Sequence, residues 1–356
     1  MPIVDIYGHE SLRLRLAKSV ASQTLPGSIL LHGPRGAGKQ RLAIWLAQTL
    51  LCSHDNPPCG DCQGCRYTLE LAHPDLHWIF PRPRLKAAES DLDEVRDDYA
   101  EATAARAADN GLYPAPSGSE GIFITVVRVL VKEASLSPAL AKRKVFIVGD
   151  ADRMVAQEGA EFAANAFLKL LEEPPADTTI ILTSSEPGAL LPTIKSRVVG
   201  VRVGPLADAE VKAFIEDPVV KAFLDKIDKS STNDRIRQAA GTPGKLLEGE
   251  QEARSVIAAR KILDSALGTR ASVAHSTALS QGAANARGQF SDTLDALVTL
   301  LCERMRESLH QGDPASASAA SRAVDAALKA KQLASGNVSP QLITSRLIRE
   351  ISAIVR

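Results

Sequence analysis

The stretch Gly33-Pro34-Arg35-Gly36-Ala37-Gly38-Lys39-Gln40 follows the apolar run Ser28-Ile29-Leu30-Leu31 and precedes an amphipathic stretch from Arg41 to Leu51. Strand, glycine-rich turn and helix in that order let backbone N–H groups and a helix N-terminus cradle phosphates while a lysine reaches the terminal ones. Gly33, Gly36, Gly38 and Lys39 fit this pattern. The last position does not: a hydroxyl there would hold Mg²⁺, and Gln40 brings an amide. The stretch therefore predicts an α/β fold built on a phosphate loop. ATP or ADP binding without turnover and an unliganded glycine-rich turn both remain readings of it.

Four of the five cysteines lie just beyond that helix. Cys52, Cys59, Cys62 and Cys65 are spaced C-x₆-C-x₂-C-x₂-C, with Gly60 and Gly64 supplying the tight turns that point successive thiolates at one ion. Zn²⁺ takes four such ligands tetrahedrally and keeps no open position, so the expected site is structural. The bland alternative is four free thiols. Cys302, in an apolar helical stretch, reads as a core residue.

Farther out, His73 to Phe80 reads as a short strand, and Val145-Phe146-Ile147-Val148 and Thr179-Ile180-Ile181-Leu182-Thr183 read as buried ones. Helical patterns around Ile124 to Leu136 and Glu161 to Leu171 separate them, which predicts a parallel sheet covered on both faces. In the first helix Leu12, Leu14, Leu16 and Val20 supply the apolar positions. The Ala- and acid-rich stretch from Arg84 to Asn110 and the Gly/Pro-rich run that closes it predict a solvent-exposed helix and a flexible loop, an insertion at about 82–120. Strands stop beyond Pro205. The expected domains are an α/β domain at 1–205, a small helical unit at 206–265 and an all-helical unit at 266–356.

The 356 residues carry 42 basic and 42 acidic side chains, so any contact with nucleic acid must come from a local patch. No apolar run approaches the roughly 20 residues of a membrane span, and Met1-Pro2-Ile3-Val4-Asp5 has no signal-peptide character. A cytoplasmic location is expected.

A nucleotide motor needs acidic groups on a strand beside the phosphate loop. In Gly149-Asp150-Ala151-Asp152 the first acidic position is a glycine, and Asp150 stands where a water-activating Glu would be, one methylene shorter. Helix capping by Asp150 and Asp152 is at least as good a reading. Arg197 follows Pro192-Thr193-Ile194-Lys195-Ser196. An arginine so placed is either a surface ion-pair member or, at a subunit boundary, a group that stabilises charge on a neighbour's γ-phosphate.

Taken together, the phosphate loop, the cysteine cluster, Gly149 to Met154, Asn165-Ala166-Phe167-Leu168-Lys169-Leu170-Leu171-Glu172-Glu173-Pro174-Pro175 and Ser196-Arg197 resemble the AAA+ clamp-loader subunits of bacterial DNA polymerase III. The resemblance covers about residues 1–250 and implies an AAA+ domain with a zinc module, a helical lid and a C-terminal collar. It implies membership of a ring with gamma/tau motor subunits and the delta subunit, which acts on the sliding clamp and primed DNA. Arg197 carries over as the arginine that acts in trans, with Val198 in place of the motif's cysteine, and Thr183 with Ser184 matches the strand-end polar position called sensor 1. Gln40, Gly149 and Gly244 all depart from the motor pattern, the last standing where a sensor-2 arginine would be, with Lys245 beside it. Read as three independent losses, they imply a non-motor member with no ATPase activity of its own, within a DNA polymerase holoenzyme.

The rival readings are a catalytic AAA+ ATPase of the gamma/tau type, favoured by Lys39 and Asp150, and a small zinc-dependent nucleic-acid binder, favoured by the cysteines alone. The chain's end at Arg356, without a long extension, is counted against the motor reading.

Overall fold

The computed structural model describes residues 2–85, 92–116, 120–154, 161–268, 271–280, 287–334 and 338–355. They group into two compact units: one contains residues 2–116 and 120–248, the other the helices from Gly249 onward.

The first unit opens with α1 (Glu10–Ala21), β1 (Ser28–His32), α2 (Lys39–Leu51), α3 (Gln63–Leu69), β2 (Leu76–Ile79) and α4 (Leu92–Ala108). It continues through α5 (Ile124–Ala134), β3 (Lys144–Val148), a 3₁₀ turn at Ala151–Arg153, α6 (Glu161–Glu172), β4 (Thr178–Ser184), α7 (Pro192–Lys195) and β5 (Val199–Arg202). The described strands pair in parallel in the order β2-β3-β4-β1-β5. The pleat sends Ile29, Leu31, Val145, Ile147 and Ile181 to one face, against α1 and α2. It sends Leu30, Phe146, Val148, Ile180 and Leu182 to the other, against α5 and α6. Both faces are buried, which is why these strands read as continuous apolar runs. β5 is an edge strand that the sequence reading missed: its residues are largely exposed, and Gly200 breaks its short pattern.

Three local expectations change. From Leu42 to Leu51 every residue of α2 is buried, so this helix is a central core element rather than an amphipathic one. In α1, Leu12 and Leu16 are buried but Leu14 is 71% exposed, because a residue two positions on lies on the far side of a helix. α4 is solvent-exposed on one side only: Val95 and Ala102 are buried, Tyr99 packs with them, and the Tyr99 hydroxyl donates to Phe80 O at 2.6 Å. Positions 95, 99, 102 and 106 share one helical face, a pattern hidden by the alanines around it. The chain leaves the α/β core at Arg82 and returns at Gly121, where two backbone hydrogen bonds of 3.0 Å join the ends.

Three helices, α8 (Asp208–Glu216), α9 (Pro218–Ile227) and α10 (Thr232–Ala239), complete the unit with a 3₁₀ turn at Pro243–Leu247. Val211, Ile215, Val220, Leu224, Ala239 and Leu246 form their core, joined by Leu206 and Leu112.

The second unit is α11 (Gly249–Leu267), α12 (Ala271–Leu279), α13 (Arg287–His310), α14 (Pro314–Ala334) and α15 (Pro340–Val355). α11 packs on α13 and α15 through Ala259, Ile262 and Ala266. Residues 249–265, expected in the small helical unit, thus belong with the C-terminal helices. Cys302, expected in the core, is half-buried.

Candidate functional site

α2 has a candidate site at each end. At its N-terminus Gly36 and Gly38 adopt positive φ (81° and 84°), which L side chains rarely tolerate. A Cβ on Gly33 would lie 1.9 Å from Val203 O, so the strand-to-loop exit needs glycine as well. Lys39 is 5% exposed, and its ammonium donates to Gly33 O (3.0 Å), Pro34 O (2.8 Å) and Ser185 Oγ (2.9 Å). Its three protons are all engaged inside the chain. Burial lowers its pKa to about 8, against the opposing pull of Asp150 and Asp152.

Gln40 occupies the place where a metal-binding hydroxyl and carboxylate would meet. Its Nε2 donates to Asp150 Oδ2 at 2.8 Å, and its Oε1 accepts from Trp78 Nε1 at 3.1 Å and from the Tyr113 hydroxyl at 3.3 Å. A Cβ on Gly149 would lie 2.5 Å from Gln40 Oε1, so no side chain fits there while the amide is in place. Asp150 has φ 48°, a left-handed conformation that Asp adopts more readily than most residues. Burial pushes its carboxyl upward, with Asp152 adding to that shift and Lys39, Arg153 and Arg106 opposing it.

Neither aspartate caps a helix. Asp150 spends its carboxylate on Gln40, and Asp152 Oδ1 accepts from Ser185 N at 3.2 Å. Thr183 is fully buried and its hydroxyl accepts from Asp150 N at 3.0 Å, so it shapes the turn. Ser185 is the polar group that touches Lys39.

The helical part closes on the same loop. Gly244 N donates to Gly36 O at 3.0 Å, a Cβ on Gly244 would lie 2.8 Å from Gly36 Cα, and Arg35 pairs with Glu248 at 3.0 Å. Two of the three departures from the motor pattern are therefore coupled, not independent: Gly149 is the space that Gln40 fills. The third, Gly244, has its own partner in Gly36.

At the C-terminal end of α2, Cys52, Cys59, Cys62 and Cys65 bring their sulfurs within 4.8 Å of one another. Cys59 and Cys65 are 3.9 Å apart and Cys62 and Cys52 3.8 Å. Four sulfurs about 2.3 Å from one tetrahedral ion would stand roughly 3.8 Å apart, so the set fits a closed thiolate site. Backbone N–H groups point at three of the sulfurs: His54 N at Cys52 (3.5 Å), Cys62 N at Cys59 (3.3 Å) and Cys65 N at Cys62 (3.4 Å). Burial resists ionisation of Cys62, yet hydrogen bonds from Ser53, Cys65 and His54 outweigh it and bring the thiol down to about 5. Gly64 lies against Leu51 O, 2.4 Å from where its Cβ would be, which ties the knuckle to α2.

Arg197 lies between α7 and β5. Its Nε donates to Glu172 Oε2 at 2.9 Å and its Nη1 to Thr193 O at 3.0 Å and Ser196 Oγ at 3.4 Å. The side chain is about one-third exposed, with Leu191 and Val199 exposed on the flanking segments.

Sequence reasoning missed Trp78, Tyr113, Arg106 and Ser185. A signal existed for two of them: the chain has only two tryptophans and four tyrosines, and an aromatic inside a Gly/Pro-rich run is there to anchor it.

Residues 8–207 match the family described as DNA polymerase III, delta subunit. Over 172 residues the chain is 34% identical to the delta-prime subunit of DNA polymerase III from Pseudomonas aeruginosa, covering 48% of this chain and 40% of that protein. The Bacillus subtilis delta-prime subunit is 26% identical over 219 residues, 61% of this chain and 54% of that one. The gamma/tau subunit of Mycobacterium tuberculosis is 31% identical over 195 residues, covering 54% of this chain and 27% of its own. The chain thus spans about half the length of the curated delta-prime relatives it matches. A solved gamma subunit-related protein from Thermotoga maritima aligns over 98% of this chain and 99% of its own, with 20% identity and a TM-score of 0.42. None of the described helices is long and apolar enough to cross a membrane. With the family match covering more than half its length, on a parallel sheet with β1 and its glycine-rich loop between β4 and β5, the chain belongs to the DNA polymerase III delta subunit family.

Proposed function

We propose that the chain is a delta-prime-type, non-motor subunit of a bacterial DNA polymerase III clamp loader. In this reading it supports ATP-dependent loading of the sliding clamp onto primed DNA in the cytoplasm, beside gamma/tau motor subunits and the delta subunit. The α/β domain and the helices to Glu248 form the rigid body, the second unit is the collar, and Zn²⁺ in the cysteine knuckle is structural. The observation that carries the reading is the Gln40 amide, bonded to Asp150, Trp78 and Tyr113 in the space a catalytic Mg²⁺ would need. What the subunit gives to hydrolysis is Arg197, which exchanges its exposed partner Glu172 for the γ-phosphate of ATP on a neighbour. That exchange costs little, because an exposed ion pair is worth about 1 kcal/mol or less.

The test is a loader reconstituted from this chain, gamma/tau and delta, with ATP hydrolysis and clamp loading measured on primed DNA. Arg197→Ala should keep fold, metal content and assembly, and lower hydrolysis at the site it serves by about tenfold or more. Equal rates at matched assembly would make Arg197 a surface arginine.

The likeness to gamma/tau subunits and the presence of Lys39 and Asp150 favour a second reading, a catalytic ATPase. Turnover by the isolated chain separates the two. The expected result is none above background, with Lys39→Ala leaving loader activity nearly unchanged, and loss of that activity would favour the motor.

A further inference from the structure

Arg106 stands at the last turn of α4 with its guanidinium against three aromatic rings: its Cζ lies 3.3 Å from the centre of Phe80, 3.9 Å from Tyr113 and 4.6 Å from Trp78. Two of those rings are the ones that hold Gln40, through the indole N–H and the phenol hydroxyl. Arg106 Nη1 is buried with no hydrogen-bond partner among the described residues. A buried guanidinium with an unused donor is expensive unless something nearby needs its charge. The buried carboxylate of Asp150 is such a group: Lys39 and Arg153 favour its ionised form most, and Arg106 adds to them. In a metal-binding relative of such a site the cation would come from solvent; here the 82–121 excursion delivers one on a helix and boxes it in rings that favour a cation over their faces.

We infer that the segment from α4 to Tyr113 is a resident occupant of the nucleotide–metal site. Gln40 supplies the polar contacts of the missing metal, Arg106 adds its positive charge to those of Lys39 and Arg153, and Trp78 with Tyr113 holds both Gln40 and Arg106. The segment makes the α/β domain independent of nucleotide and divalent cation, and gives the inserted helix its function. Arg106 is a positioning residue here, acting on Asp150 and Gln40 through the rings and through space.

The inference rests on the non-motor reading of this site, but its test uses the isolated full-length chain, where Arg197 has no neighbour. A negative result here leaves the arginine role standing, and an unchanged loader rate there leaves this one standing. Mn²⁺ is the probe, because it prefers oxygen ligands and avoids the thiolate knuckle. Gln40→Ser reopens the metal position, and three versions of that variant are titrated with Mn²⁺ in the presence of ADP, with free ion read by electron paramagnetic resonance. The first keeps Arg106, the second carries Arg106→Lys and the third Arg106→Met, which keeps an unbranched chain without charge. At an effective dielectric constant of about 20, removing one like charge from the surroundings of an arriving divalent ion should tighten binding by about tenfold or more. The Met version is expected to bind Mn²⁺ at least about tenfold more tightly than the Arg version, and the Lys version within about threefold of it. Equal affinity in all three folded variants, or none in the Met version, would overturn the proposal, since a residue that merely packs would change stability without changing the response to a cation. Arg106→Gln replaces the Met version if that one does not fold.

Discussion

The two ends of α2 show opposite ways of treating a ligand site. At the N-terminal end the chain has used up its own binding groups: the Lys39 protons sit on loop carbonyls and Ser185, and the Gln40 amide is bonded to Asp150. At the C-terminal end four sulfurs converge on one another, with backbone N–H groups and the His54 ring (Nδ1 3.3 Å from Cys59 Sγ) beside them, at the spacing a tetrahedral ion sets. The chemistry explains the difference. A charged phosphate or Mg²⁺ site can be neutralised by moving amides and cations in from nearby, whereas four thiols offer no partner to each other as good as a metal. In the proposed reading one end is finished by folding, the other by binding.

Metal removal should therefore produce the largest effect. A strong chelator, or Cys62→Ser, should lower the bound metal from about one ion per chain to under a tenth. It should destabilise the knuckle by several kcal/mol, in keeping with the roughly 10–16 kcal/mol such ions contribute to small folded modules. Hydrogen exchange should show the loss in α3 and the cysteine turns, with β1 and β4 still protected. Saturating MgATP should leave the melting temperature of the unmodified chain unchanged. Stabilisation by MgATP as large as that by zinc would erase the contrast between the two ends.

The next prediction tests whether the filled end is one device. Gly149→Asp restores the missing acidic group, but its Cβ would lie 2.5 Å from Gln40 Oε1 and its charge would join Asp150 in a buried site. It should cost about 3 kcal/mol through displacement of a bonded amide and burial of a second carboxylate. In a Gln40→Ser background the cost should fall by at least about 1 kcal/mol, since touching residues do not add independently. Additive costs in a denaturation cycle would mean that Gln40 and Gly149 were lost separately.

How much of this was legible follows from range. The phosphate loop and the cysteine spacing are local patterns, with the chemistry carried by neighbours in sequence; the loop turns at Gly36 and Gly38, and the four sulfurs converge. The buried strands were legible because both sheet faces are covered and every residue of β3 and β4 is buried. Sequence could not show that Gln40, Trp78, Tyr113 and Asp150 meet, because up to 110 residues separate them and each has a plausible role alone. Nor could it show that α4 packs, since its buried face is spelled with Ala102 and the stem of Arg106, which composition counts as surface. The reading of Gly149 and Gly244 as losses was a local one; each is also a space that another backbone or side chain needs.

The smallest expected effect concerns Lys39 and has a definite sign. Its folded pKa of about 8 lies below the 10.5 of the unfolded chain, chiefly because the ammonium is buried. Between these values the unfolded state holds more protons, so raising the pH stabilises the fold, and the penalty for burying the charge is relieved. From about pH 8 to about pH 9.5 the gain should be on the order of 1.5 kcal/mol. Other groups titrate in this window, so the quantity to measure is the difference between the unmodified chain and Lys39→Met, each unfolded in denaturant at both pH values. Stability of the unmodified chain should rise relative to the variant across the window. A phosphate-loop lysine that still reached into solvent would show no such gain, and a flat difference would mean that Lys39 is not sealed onto its own loop. A gain that vanished on adding ADP would place nucleotide at this end of α2 after all, and the two ends would then both be sites completed by binding.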